Sequence, residues 1–293
     1  MTEHFADRLL QACREKGAPV CVGLDPVLDR LPNDILKHRN SRGRQDADLV
    51  LSYCKGVIDA VKGVVPAVKP QSACFERFGG LGVTVYHHVV EHAKAAGLIV
   101  VGDAKRGDIG TSSAHYAAGL LAGDGGCDTL TVNGYLGGDG LEPFQQVAAE
   151  QGKGLFVLVR TSNPGGDAIQ SLPLADGRTV SEAVGDVVAE LGSKCVGQSG
   201  YSNVGMVVGA TKPEDAEKLR ERYPQQLFLV PGFGAQGGSA DDVRACFKPD
   251  GTGALITASR SVIYAFEQGD EDWQASVATA ATQLRDDVAN ILA

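Results

Sequence analysis

Residues 98–112 read LIVVGDAKRGDIGTS. The apolar run at the start suits a strand buried on both faces. It ends abruptly in Asp103, Lys105, Arg106 and Asp108. Charges alternating in sign at a strand mouth are expensive to desolvate unless each finds a partner, so this turn calls for partners from elsewhere in the fold. Working outward, similar apolar runs recur at residues 19–24, 64–69, 128–132, 154–160, 204–208, 226–230 and 253–257. Helical spacing fills intervals such as 46–62, 83–96, 181–191 and 212–222. Apolar strands alternating with helices imply a parallel sheet covered by helices. Eight such units with no break in composition predict an α/β fold, a (β/α)8 TIM barrel, as a single domain over residues 1–293. Helices at 3–16 and 271–292 would be its N- and C-terminal extensions. Asp25, Lys69, Asp103, Asn133, Ser162 and Arg260 all follow the carboxyl ends of these strands. In a barrel those ends open onto the one face where active sites lie.

Composition narrows the function classes. The 293 residues are 43% hydrophobic and 22% charged, as for a globular chain with a full core. A net charge of −9 disfavours a nucleic-acid footprint, so any anionic ligand must be held by local groups. No apolar run is long enough to span a membrane. The opening MTEHFADRLLQACREKG has the mixed charge of an amphipathic helix and not the pattern of a signal peptide. The seven cysteines are scattered and form no Cys-x-x-Cys pair, which predicts reduced thiols and a cytoplasmic protein without a zinc framework.

Three motifs compete for attention. Gly232-x-Gly234-x-x-Gly237 matches a dinucleotide fingerprint, but it follows the seventh strand, and no acid ends the eighth. It reads better as a loop whose amides approach a phosphate, with Arg260 beyond the eighth strand completing the clamp. His88-x-x-Glu91-His92 fits an inverted zinc-protease pattern, yet its place on an outer helix makes a polar surface face the better reading. Arg106-Gly107-Asp108 matches a cell-adhesion tripeptide, but a sharp turn beside a buried strand explains its glycine. The 161–178 stretch, TSNPGGDAIQSLPLADGR, is the longest irregular segment, and loops of such length are commonly functional.

What remains is Asp103, Lys105 and Asp108, with Lys69 from the preceding strand. These residues resemble the orotidine 5′-phosphate decarboxylase family, in its longer branch. The likeness is carried by Asp103-Ala-Lys105-Arg-Gly-Asp108-Ile109, together with Gly23-Leu24-Asp25, Val68-Lys69-Pro70, Thr161-Ser162-Asn163-Pro164-Gly165, Pro231-Gly232-Phe233-Gly234-Ala235-Gln236-Gly237 and Ser259-Arg260-Ser261. The motifs run in order over nearly the whole barrel.

The resemblance implies decarboxylation of orotidine 5′-phosphate to UMP and CO2 without cofactor or metal. It also implies that Lys69, Asp103, Lys105 and Asp108 form the charged array, with Asp108 presented to the partner in a homodimer. Asp25 would bind ribose hydroxyls and Ser162 the pyrimidine amide. Gln236 and Arg260 would hold the phosphate, with Gly234 in the same loop, and Ser112 would join the site across the dimer. Lys105 would stabilise and then protonate the C6 carbanion. Two rivals stand beside this reading. A sugar-phosphate enzyme of the same superfamily would carry a magnesium-binding Glu where this chain has Lys69. A silent phosphate-binding barrel would have no use for the charged array.

Overall fold

The structure is a computed structural model that describes residues 3–39, 44–233 and 240–293. Eight parallel strands close into a barrel in chain order. They are β1 (Val20–Leu24), β2 (Ala67–Pro70), β3 (Ile99–Arg106), β4 (Thr129–Asn133), β5 (Gly154–Arg160), β6 (Val204–Val208), β7 (Phe228–Pro231) and β8 (Ala254–Ala258). β1 closes the ring on β8, with Val20, Cys21 and Val22 opposite Ile256, Thr257 and Ala258. All eight expected strands are present, because each run is apolar enough to be buried by helices outside and side-chain layers within.

Alternation along the strands separates two cores. Val20, Val22, Val68, Val100 and Ile256 pack with the helices. Cys21, Ala67, Val101, Phe156, Leu229 and Leu255 form a second cluster with Phe5, Leu9 and Leu10 of the N-terminal helix Phe5–Lys16. That helix closes the amino end of the barrel, where the Phe5 ring meets Phe156 edge to face at 6.0 Å. Gly154 is needed there, since a Cβ would lie 2.2 Å from the Phe5 ring. Lys69, Asp103 and Thr257 stand two residues beyond Ala67, Val101 and Leu255, so the period of two carries them onto the same face, one layer higher. The barrel therefore turns from apolar to charged toward its carboxyl end.

Most element boundaries shift from expectation by one to four residues, and three departures have a physical reading. β3 runs on through Arg106, so Asp103, Lys105 and Arg106 lie within the strand, and only Asp108 follows it. The 161–178 segment is more ordered than its composition suggests: a 3-10 turn (Pro164–Gly166) leads into the short helix Asp167–Gln170. The terminal helix begins at Trp273, capped by the Asp272 side chain, which accepts from the Ala275 amide at 3.1 Å. Among the described residues, no helix is long and apolar enough to cross a membrane.

Candidate active site

At the carboxyl end of the barrel a cavity of about 430 Å³ is lined by Asp25, Lys69, Asp103, Lys105, Ser162 and Arg260, among others. Its floor is a single carboxylate held by two ammonium groups. Lys69 Nζ lies 2.5 Å from Asp103 Oδ2, and Lys105 Nζ lies 2.5 Å from Asp103 Oδ1. Gln71 Nε2 adds a donor to Oδ2 at 3.1 Å, and the Thr131 hydroxyl one to Oδ1 at 3.0 Å. Burial, the largest single influence on Asp103, opposes its ionisation; Lys69 and then Lys105 outweigh it and hold the carboxyl at about 2. For Lys69, burial works against the charge, but Asp103 and Asp25 raise its pKa above the ordinary lysine value. Both groups are therefore charged at neutral pH, which makes this a buried ion array with its partners supplied.

Local backbone geometry aims Lys105. Gly102 pairs with Leu130 and Arg106 with Val132, so β3 carries a bulge opposite Thr131. Inside it Lys105 adopts φ +49°, the only positive φ of a non-glycine among the described residues. A conformation of that kind costs about 1–3 kcal/mol and persists where the surroundings over-determine it. The Thr131 hydroxyl does so here, accepting from the Lys105 amide at 3.0 Å. Bulges re-aim side chains, and this one keeps Lys105 at the cavity with its side chain 48% exposed while Asp103 stays buried.

The wall at the ends of β1 and β8 carries polar atoms without internal partners. Asp25 Oδ1 and Ser259 Oγ are buried and accept or donate no hydrogen bond. Arg260 opens the short helix Arg260–Ile263 with no ion-pair partner among the described residues. The Tyr264 hydroxyl ties this corner together, donating to the Asp25 carbonyl at 3.0 Å and accepting from the Val27 amide at 2.7 Å. A buried carboxylate oxygen, a hydroxyl and an unpaired guanidinium around one cavity suit a ligand with hydroxyls and an anionic group.

A family model described as the orotidine 5′-phosphate decarboxylase / HUMPS family matches residues 18–271. The chain belongs to this family. A relative from Rhodopirellula baltica named orotidine 5′-phosphate decarboxylase is 43% identical over 297 aligned positions, which cover 96% of this chain and 98% of the relative. A crystal structure from Streptomyces avermitilis superposes with a TM-score of 0.82 at 34% identity, covering 100% of this chain and 97% of that one. The structure of the Leishmania donovani OMP decarboxylase gives 0.78 at 31% identity over 99% of each chain.

Of the residues that the decarboxylase resemblance singled out, the fold brings Asp25, Lys69, Asp103, Lys105, Ser162 and Arg260 into one cavity. Asp108 and Ser112 lie outside it: Asp108 Oδ1 accepts from the neighbouring Ile109 amide at 2.9 Å, and Ser112 is exposed on the helix Gly110–Leu120. Gly234 and Gln236 fall outside the described residues. Asn133 does not line the cavity; its side chain instead caps the turn Gly134–Leu136 by accepting from the Tyr135 amide. Arg106 also points elsewhere, to Glu76 and the Ala104 carbonyl. His88 is exposed on the helix Gly79–Ala95, and His92 faces Asp59 on a neighbouring helix at 3.3 Å, as the polar-face reading expects.

Sequence reasoning missed Gln71 and Thr131, both of which hold Asp103. Gln71 stands two residues after Lys69, and Thr131 two after Thr129 on β4, so the period of two was the available signal. Ser259 stands within its motif without an assigned role, and its buried hydroxyl lines the cavity.

Proposed function

We propose that this cavity decarboxylates orotidine 5′-phosphate to UMP, with Lys105 as the proton donor. The bond from C6 to the carboxylate breaks, CO2 leaves, and the electron pair left on C6 takes a proton from the Lys105 ammonium. The observation that carries this reading is the Asp103 carboxylate gripped between Lys69 and Lys105 on the cavity floor. A fixed ammonium beside developing carbanion charge stabilises it without reorganisation at the moment of reaction. At about 4 Å and an effective dielectric of 20, one such charge contributes about 4 kcal/mol. Enzymatic accelerations commonly require about 8–23 kcal/mol, so Lys105 alone does not suffice. Binding energy from the remote phosphate, used to orient and desolvate the reacting end, supplies much of the rest. Arg260, which lines the cavity, takes that task in this reading, with Gln236 and Gly234 assigned to it by the resemblance.

Asp25, with its unpartnered oxygen, receives the ribose hydroxyls, and Ser162 the pyrimidine amide. Asp108 and Ser112 act in the site of a second copy, in a homodimer. Supporting this, large apolar side chains are exposed near Asp108: Ile109 beside it at 57%, and Leu136, which shares with Asp108 a contact to Gly140, at 46%. Lys69 argues against a magnesium-dependent sugar-phosphate reaction, since its ammonium stands where such a reaction wants a carboxylate. Loss of orotidine 5′-phosphate absorbance in the presence of EDTA tests the proposal. Undiminished turnover is expected; no turnover, or chelator-sensitive activity on a sugar phosphate instead, would overturn it.

A further inference from the structure

Arg160, the last residue of β5, is buried, with its side chain only 3% exposed, yet it does not line the cavity. Each of its three guanidinium nitrogens donates a hydrogen bond. Nε donates to Asp215 at 2.7 Å, one terminal nitrogen to Asp167 at 2.6 Å, and the other to Gln170 Oε1 at 3.3 Å. Asp215 belongs to the first turn of the helix Pro213–Arg222, whereas Asp167 and Gln170 come from the segment after β5. Lys212 closes the ring by donating to the other oxygen of Asp167 at 2.6 Å.

Gln170 passes this anchorage on to the cavity wall. Its Oε1 accepts from the Thr161 amide at 2.9 Å, and its Nε2 donates to the Thr161 hydroxyl at 2.8 Å. The next residue is gripped from the other side. Thr211 donates to the Ser162 carbonyl at 3.1 Å, and Gly209 packs so closely that a Cβ there would lie 2.7 Å from the Ser162 backbone. Thr161, Ser162 and Asn163 are the residues of this segment that line the cavity.

We propose that Arg160 and Gln170 are positioning residues that fix residues 161–163 against the base of the substrate. This rests on the assignment of Ser162 to the pyrimidine. The rigid fork of a guanidinium reaches three acceptors in a set geometry, which a lysine ammonium on a flexible stem does not reproduce. Both residues act through the backbone of 161–163, so their loss should be felt by ligands that carry a base and not by the sugar phosphate alone.

Competitive inhibition by UMP and by ribose 5-phosphate separates the two parts of the ligand. Arg160→Met and Gln170→Leu should each weaken UMP about tenfold, the scale of a lost hydrogen bond, and leave ribose 5-phosphate within about twofold. The double variant should be no worse than Arg160→Met, since the two act along one path. Gln170→Glu keeps acceptors for Arg160 and the Thr161 amide and should recover most of the UMP affinity. Should Arg160→Met fail to fold, the half-buried Gln170 carries the test by itself. Equal weakening of both ligands would reduce the cluster to general stability and overturn the proposal. Selective loss of UMP in Ser162→Ala, without loss in Gln170→Leu, would sink the positioning role while leaving the Ser162 assignment intact. Unchanged UMP binding in Ser162→Ala would remove that assignment, and the proposal with it.

Discussion

The Thr131 hydroxyl accepts from the main-chain amide of Lys105 at 3.0 Å, in the hollow of the β3 bulge. The same oxygen donates to Asp103 Oδ1 at 3.0 Å, so one side chain holds both the strained backbone and the carboxylate it serves. Thr131→Val keeps the shape and removes both bonds. It should cost about 1–3 kcal/mol of stability, because a buried donor is left unmet. It should lower kcat more than it raises KM, since Lys105 loses its fixed aim. A urea titration and steady-state kinetics read the two effects; unchanged kcat would show that the bulge holds its form without Thr131.

The array around Asp103 gives stability a defined pH dependence. An Asp carboxyl titrates near 3.8 in the unfolded chain and at about 2 in the folded one. A lowered folded value stabilises the protein above the unfolded pKa and is lost as pH falls through the folded one. Asp103→Asn should destabilise the protein by about 3–5 kcal/mol at neutral pH, because it strips the buried Lys69 of its main partner. Roughly 2 kcal/mol of that gap should close between pH 4 and pH 2, as the native carboxylate is protonated. Denaturant unfolding of both proteins across this range checks it; a gap independent of pH would mean that Asp103 is not held ionised by its lysines.

Arg260 lines the same cavity as the Asp103 array but makes no ion pair with it. If remote binding energy drives the chemistry, Arg260→Ala should lower kcat/KM by about a hundredfold or more, with Lys69, Asp103 and Lys105 untouched. A loss of only a few-fold would remove the phosphate from the account of the rate.

Subunit mixing tests whether the site is shared between two copies. Lys105→Ala and Asp108→Ala should each be nearly inactive alone. If Asp108 serves the neighbouring copy, a mixed dimer regains one intact site, and an equimolar mixture should recover about a quarter of the parent activity. No recovery after exchange would place Asp108 in its own subunit's chemistry.

The sequence by itself determined the barrel. Eight apolar runs at helix-length intervals leave a parallel closed sheet as the arrangement that buries them, and the polar residues after their ends mark the active face. It also singled out Lys69, Asp103 and Lys105, because desolvated charges need partners wherever they fold. Only the tertiary structure decided how those partners meet. Register between β2 and β3 sets Gln71 opposite Asp103 and lets Lys69, two residues back on β2, reach the same carboxylate, and the bulge sets where Lys105 points. A period of two places Gln71 and Thr131 on the inner face, but their bonds to Asp103, like the bond of Arg160 to Asp215, join segments far apart in the chain. Such hydrogen bonds depend on tenths of an ångström between distant segments, whereas hydrophobic periodicity depends only on the order of residues along the chain.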